Sequence, residues 1–208
     1  MTARHVCALL QCLVIAAATA GQADPFETAL RASAEGRYGE SAATFHELAR
    51  NGDGAAAYNL ALLFATGRGV PQNEREALYW VWRARLADVP AAPGLLQRLW
   101  PPVEPKQRKE IAQRLEEDLA PLVANGDGAA MLQLGAVLSV VRAPPDLMSA
   151  YTWQSIAAAL DVPGAVSARD ATLKSLIGTE RAKAQDEALA MFRTWCATQR
   201  QPPAACGL

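Results

Sequence analysis

Proton-transfer chemistry needs a side chain that titrates near neutrality, and beyond the first 23 residues the chain offers one histidine, His46. It lies in Ala43-Thr44-Phe45-His46-Glu47-Leu48, a helical stretch where an ordinary surface or hydrogen-bonded histidine is expected. Without a second histidine, neither a Ser-His-Asp nor a Cys-His arrangement gains support. Glu116-Glu117-Asp118 supplies neighbouring carboxylates, the groups that glycoside hydrolysis places on either side of a cleft. Consecutive residues of one helix point in different directions, however, and Glu110 stands four residues before Arg114, so a solvated face with a local ion pair is expected. Gly67-Arg68-Gly69 lacks the strand that precedes a dinucleotide-binding turn, and Asn51-Gly52-Asp53-Gly54 lacks the later oxygen ligands of a calcium loop. Both read as turns. There is no clustered set of zinc ligands, and the residues imply no cofactor.

One of those turns carries more than local information. Asn51-Gly52-Asp53-Gly54-Ala55-Ala56 recurs letter for letter as Asn125-Gly126-Asp127-Gly128-Ala129-Ala130, a 74-residue period. Asp88-Val89-Pro90 is echoed by Asp161-Val162-Pro163. Self-similarity at a fixed spacing marks stacked supersecondary units, none of which buries its apolar face alone. Apolar residues recur at helical spacing throughout, without the sustained alternation of a half-buried strand. Ten helices in five pairs are expected: 24–35 with 39–50, 54–66 with 73–87, 92–100 with 105–123, 127–141 with 146–160, and 163–176 with 179–197.

Residues 1–23 read as a secretory signal peptide. Arg4 and His5 precede a mostly apolar run from Val6 to Ala18, followed by the small-residue motifs Ala18-Thr19-Ala20 and Gly21-Gln22-Ala23. The run is well short of the roughly 20 residues of a membrane span. Cleavage after Ala23 leaves Asp24-Pro25-Phe26-Glu27 as a helix start with a capping box; cleavage after Ala20 and an uncleaved anchor are the alternatives. Removing Arg4 from the 20 basic residues leaves 19 against 21 acidic ones, spread without blocks. Such a surface lacks the basic stripe of a nucleic-acid binder. Heavy use of arginine over lysine and of alanine points to GC-rich coding, hence to a bacterium and its periplasm. There Cys196 and Cys206 are expected to form a disulfide, since they are an even pair in an oxidising compartment with Pro202-Pro203 bending the chain between them. A loop this short contributes roughly 3 kcal/mol in the chain-entropy account.

Ala56, Leu60, Gly67, Gly69, Val70, Ala77, Trp80 and Ala84 stand in the spacing of the Sel-one-like repeat (SLR) family, a tetratricopeptide-like class, which residues 52–92 resemble. Ala130, Leu134, Gly135, Ala150, Trp153, Ala157 and Ala158 carry the pattern again, with Val141-Arg142-Ala143 replacing the glycine loop and one residue fewer. The resemblance implies an all-α, right-handed α-solenoid of about five antiparallel helix pairs over residues 24–198, with 199–208 as a tail. It implies a protein-interaction scaffold, and no catalytic residues.

The family's first helices commonly line a concave face, which brings Tyr58, Asn59 and Gln133 forward as candidates for contact with a protein or peptide. Trp80 and Trp153 hold the repeat's packing position. Trp82 lies about 200 degrees round the helix from Trp80, and Trp100 precedes Pro101-Pro102. Each of these two is either a binding aromatic or a side chain buried between hairpins. The function expected is that of a periplasmic adaptor or regulator; the alternative is a cell-envelope enzyme or a glycan-binding accessory protein. The exported protein is expected to begin at Asp24 and to weigh about 2 Da less than its reduced form. Free-thiol labelling of both Cys196 and Cys206 before any reductant would refute the bridge, whereas a different first residue would refute only the cleavage site.

Overall fold

A computed structural model describes residues 24–100, 103–199 and 202–207. The expected signal peptide lies outside the described residues. Regular structure among the described residues is entirely helical: α1 Pro25–Ala34, α2 Tyr38–Arg50, α3 Gly54–Thr66, α4 Glu74–Leu86, α5 Ala92–Leu99, α6 Pro105–Ala124, α7 Gly128–Ala136, α8 Leu147–Ala159, α9 Ala165–Ser175 and α10 Glu180–Thr198. A π-helical turn, Val137–Val141, prolongs α7, and Ala204–Gly207 forms a 3-10 turn. The chain is an all-α solenoid in which α1 packs on α2, α2 on α3, α3 on α4, and α6 through α7 to α8 in the same manner. Helices α2, α6 and α10 end at Arg50, Ala124 and Thr198, each 74 residues after the last.

Each letter of the repeated hexapeptide has a physical task. Gly52 and Gly126, at φ 97° and 84°, take the left-handed conformation that closes α2 and α6. The carboxylates of Asp53 and Asp127 then accept from the first free amides of α3 and α7: Ala56 N at 2.9 Å in one copy, Ala129 N and Ala130 N at 2.9 and 3.1 Å in the other. Gly54 and Gly128 are needed for closeness. A β-carbon on Gly54 would stand 2.5 Å from Ala87 Cβ and 3.1 Å from Val89, and one on Gly128 would stand 2.7 Å from Val162. The two recurring motifs of the sequence are thus the two sides of one contact, made once per copy, where the start of a hairpin's first helix meets the end of its second. Asp88 and Asp161, at φ 55° and 56°, turn the valine back to make it.

Between α3 and α4 the chain turns through Gly67, at φ 66°. Gly69 is required by its neighbour: a β-carbon there would stand 2.2 Å from the carbonyl oxygen of Tyr38, so this loop rests on the start of α2. The second copy solves the same turn with a side chain. The π-helical turn is followed by a cis Ala143–Pro144 bond, and the Arg108 guanidinium donates to the carbonyls of Val140, at 2.7 Å, and Val141, at 3.2 Å. Asn73 caps α4 through Arg75 N and Glu76 N, and the Glu76 carboxylate, rather than turning back to the cap, is engaged by Arg114.

The helix order matches expectation, while in two of the five expected pairs, α5 with α6 and α9 with α10, the helices pack chiefly on other neighbours. α5 packs on α4, α6 on α4 and α7, α9 on α8, and α10 on α8, so α4 and α8 each act as a hub. α5 is held on α4 by Trp100, whose ring meets that of Trp82 edge-on at 5.2 Å. Trp80 is 4% exposed, whereas Trp153, expected in the core, is half-buried against it. Buried alanines, among them Ala56, Ala77, Ala84 and Ala157, let the helices approach closely.

Two glycine substitutions separate closeness from flexibility. Gly94, in α5, has nothing within 4 Å of a would-be β-carbon; Gly94→Ala should raise stability by up to about 1 kcal/mol. Gly54→Ala should lower it by about 1–3 kcal/mol through overpacking. Thermal melts moving in the same direction would show that the Gly54 contact is not a tight one.

Candidate functional site

A groove between α2, α4 and α6 is formed by two joined cavities of about 220 and 600 Å³, and a separate cavity of about 650 Å³ between α4, α7 and α9 has Trp82 and Gln133 in its lining. The two joined cavities meet at Gly52, Arg83, Asp118 and Leu122. The smaller lies between the two hexapeptide turns, with a floor of Ala57, Leu115, Leu119 and Ala130. The larger opens past His46, Arg50, Trp80 and Arg114.

A polar layer spans the groove between α4 and α6. Tyr79 donates from its hydroxyl to Asp118 Oδ2 at 2.5 Å. The Arg114 guanidinium lies 3.7 Å over the Tyr79 ring and makes a two-pronged ion pair with Glu76, at 2.7 and 3.2 Å. Arg83 sits 5.4 Å over the Trp80 ring, and its guanidinium nitrogen is 3.8 Å from Asp118. Burial, followed by the hydrogen bond to Asp118, pushes the Tyr79 hydroxyl up to about 12. His46 and Arg50 are exposed on the α2 side; His46 meets the Trp80 ring edge-on at 5.6 Å. Neither makes an ion pair among the described residues.

The internal repeat supplies a comparison within one molecule. By the register of the helix ends, Arg114 and Asp118 of α6 correspond to Ala188 and Phe192 of α10. By the matched tryptophans, Tyr79 and Arg83 of α4 correspond to Thr152 and Ile156 of α8. Ile156 is fully buried there, Ala188 is buried, and α8 packs directly on α10, with a cavity of about 190 Å³ beside these two side chains. The fold therefore closes without the polar layer, and the arginines, Tyr79 and Asp118 hold α4 and α6 apart in the first copy alone.

The residues singled out from the sequence do not converge on this groove. Tyr58 is half-buried against the core, and Asn59 donates to Ala55 O of its own helix at 2.9 Å; neither lines the two joined cavities. Gln133 reaches the smaller cavity, but its amide nitrogen donates to Leu86 O at 2.8 Å, tying α7 to the end of α4. Trp82 is 8% exposed and packs against Trp100, over which Arg108 lies at 5.0 Å. Trp100 is half-buried, and Trp82 also lines the separate cavity that Gln133 borders. Asp118 and Arg114, expected on a solvated face, instead face α4. Arg114 pairs with Glu76 rather than Glu110, and Glu110 meets Arg75 at 3.4 Å. Spacing along one helix identified these charges but gave no hint of the second helix.

Away from the groove, Cys196 and Cys206 are joined by a disulfide, with their α-carbons 5.5 Å apart. Among the described residues no group of three or more His, Cys, Asp and Glu is arranged to hold a metal ion, and no helix is long and apolar enough to cross a membrane.

No family model matches the chain, and no curated protein matches it. Among solved structures it is similar to a protective antigen present in uropathogenic Escherichia coli strains, described as displaying an SLR fold. Identity is 18%, the TM-score is 0.35, and the alignment covers 88% of this chain but 46% of the antigen, so the chain spans under half of that protein.

The Tyr79 hydroxyl stays protonated in the folded protein above the usual tyrosine range near 10. Its contribution to stability is therefore present below about pH 10 and is lost as pH rises towards about 12. Spectrophotometric titration should show a tyrosinate component near pH 12 that vanishes in Tyr79→Phe. Its persistence in that variant would assign the late ionisation to another tyrosine.

Proposed function

We propose that this chain is a non-catalytic interaction scaffold that receives an extended segment of a protein partner in the groove between α2, α4 and α6. The observation carrying the reading is the contrast between the copies: the same helices close in one and stand apart in the other, so the groove is not a requirement of packing. Buried or half-buried arginine, tyrosine and tryptophan side chains are the types that concentrate binding energy at interfaces. Extended segments suit a cleft running across successive helices. The leader-like residues 1–23 and the disulfide support export to the periplasm and a role as an adaptor or regulator there. The competing reading, an envelope enzyme or glycan-binding accessory, wants an exposed aromatic platform, whereas Trp82 is buried and Trp100 is half-buried against it.

Photo-crosslinking side chains at Leu122 in the groove and at Asn59 on the α3 surface distinguish the groove from the first-helix face. Crosslinks from Leu122 should form in the periplasm and disappear in Arg50→Glu, an exposed substitution expected to change stability by under about 0.5 kcal/mol. Crosslinks that form only from Asn59, and are lost in a Tyr58→Ala variant, would move the site to the α3 face.

A further inference from the structure

The second copy shows what fills this kind of groove when the chain itself fills it. In the register that aligns α6 with α10, Asp118 becomes Phe192 and Pro121 becomes Trp195. The Phe192 and Trp195 rings are stacked, 6.0 Å apart and 20° from parallel, and both pack against the main core. Trp195 also covers the second hexapeptide turn: its Cζ2 lies 3.5 Å from where a β-carbon of Gly126 would stand, and Gln199 Oε1 lies at 3.3 Å. The disulfide at the neighbouring Cys196 ties the tail to this end of α10. The first turn has no such cover. Gly52 has nothing within 4 Å, and the space beside it is the joined groove.

Charge describes the rest of the occupant. From α2, Arg50 and His46 face the opening; from α4, Arg83; from α6, Arg114 and Asp118. Asp118 is engaged by Tyr79 and Arg114 by Glu76. At the inner end Asp53 and Asp127 are occupied in capping α3 and α7. Arg83, where the two cavities meet, is paired with Asp118 at 3.8 Å, so the cation left over is Arg50, exposed on the rim of the larger cavity.

Resting on the proposed peptide-groove reading, we infer that the partner segment carries a phenylalanine or tryptophan flanked by aspartate or glutamate. The ring enters beside Gly52, as the chain's own rings cover Gly126. A flanking carboxylate lies over Arg50, where an exposed positive charge on the rim also speeds encounter with an acidic segment.

A random peptide library displayed on phage and selected on the exported, disulfide-bonded protein tests this. Counter-selection uses the Leu122→Glu and Arg50→Glu variants, both at exposed positions outside the polar layer. Groove-dependent peptides should share an aromatic residue beside acidic ones. In a synthetic capped peptide of the selected sequence, replacing the aromatic with alanine should weaken binding by about tenfold or more, and Arg50→Glu should weaken the parent peptide comparably. A groove-dependent consensus that is basic or purely aliphatic overturns the ligand chemistry and leaves the groove reading standing. Selection that yields only peptides indifferent to both variants overturns the groove reading as well. Melting curves of the two variants matching the parent protein exclude unfolding as the cause of lost binding.

Discussion

The contact on which the solenoid depends is small: a glycine α-carbon at the start of one helix pressed against an alanine or valine at the end of the next. Gly54 meets Ala87 and Val89; Gly128 meets Leu160 and Val162. Because no side chain intervenes, the ends of each hairpin approach closely, and buried alanines continue that approach along its length. Interiors tolerate neither voids nor overlaps of a methyl group, so this one spacing fixes how α3 meets α4 and where the asparagine-glycine turn sits. The groove follows from that placement, since both hexapeptide turns form its walls.

The two copies spend the same scaffold differently. Where α8 and α10 meet, small and apolar side chains bring the helices together, and α10 adds the rings of Phe192 and Trp195. Where α4 and α6 meet, long charged side chains act as spacers. Removing ionised groups from water is costly unless each finds a partner, and here the partners are present: Glu76 for Arg114, Tyr79 for Asp118, the Trp80 ring for Arg83. The spacing is held by a satisfied network, leaving Arg50 as an exposed cation on the rim.

The architecture was legible because its signals are local and repeated. A turn glycine, a capping aspartate and an Ala-x-x-Trp stripe act within one hairpin, and a second copy of each removes ambiguity. The ten helices fell where spacing put them. The groove was not legible, because its defining residues act between helices. Arg114 has Glu110 at the right distance along its own helix, yet it takes Glu76 from α4. Trp82 lies off the packing stripe of its helix, yet α5 folds over and buries it. Asp118 stood out only as the end of an acidic triplet. The available clue was comparative: at matched positions α6 has arginine and aspartate where α10 has alanine and phenylalanine, a change from polar to apolar in a repeat otherwise preserved.

The two interhelical turns also differ in how each can fail. The first is stabilised by what is missing, and a β-carbon at Gly69 would collide with the Tyr38 backbone, so nearly any replacement there damages it. The second, which ends in a π-helical turn, is held by the guanidinium of Arg108, more than thirty residues earlier in the chain. Its own residues are freer to vary, while its shape is exposed to a change in a different helix. One copy has a local vulnerability and the other a remote one, so a single substitution in α6 can reshape a loop whose own sequence is untouched.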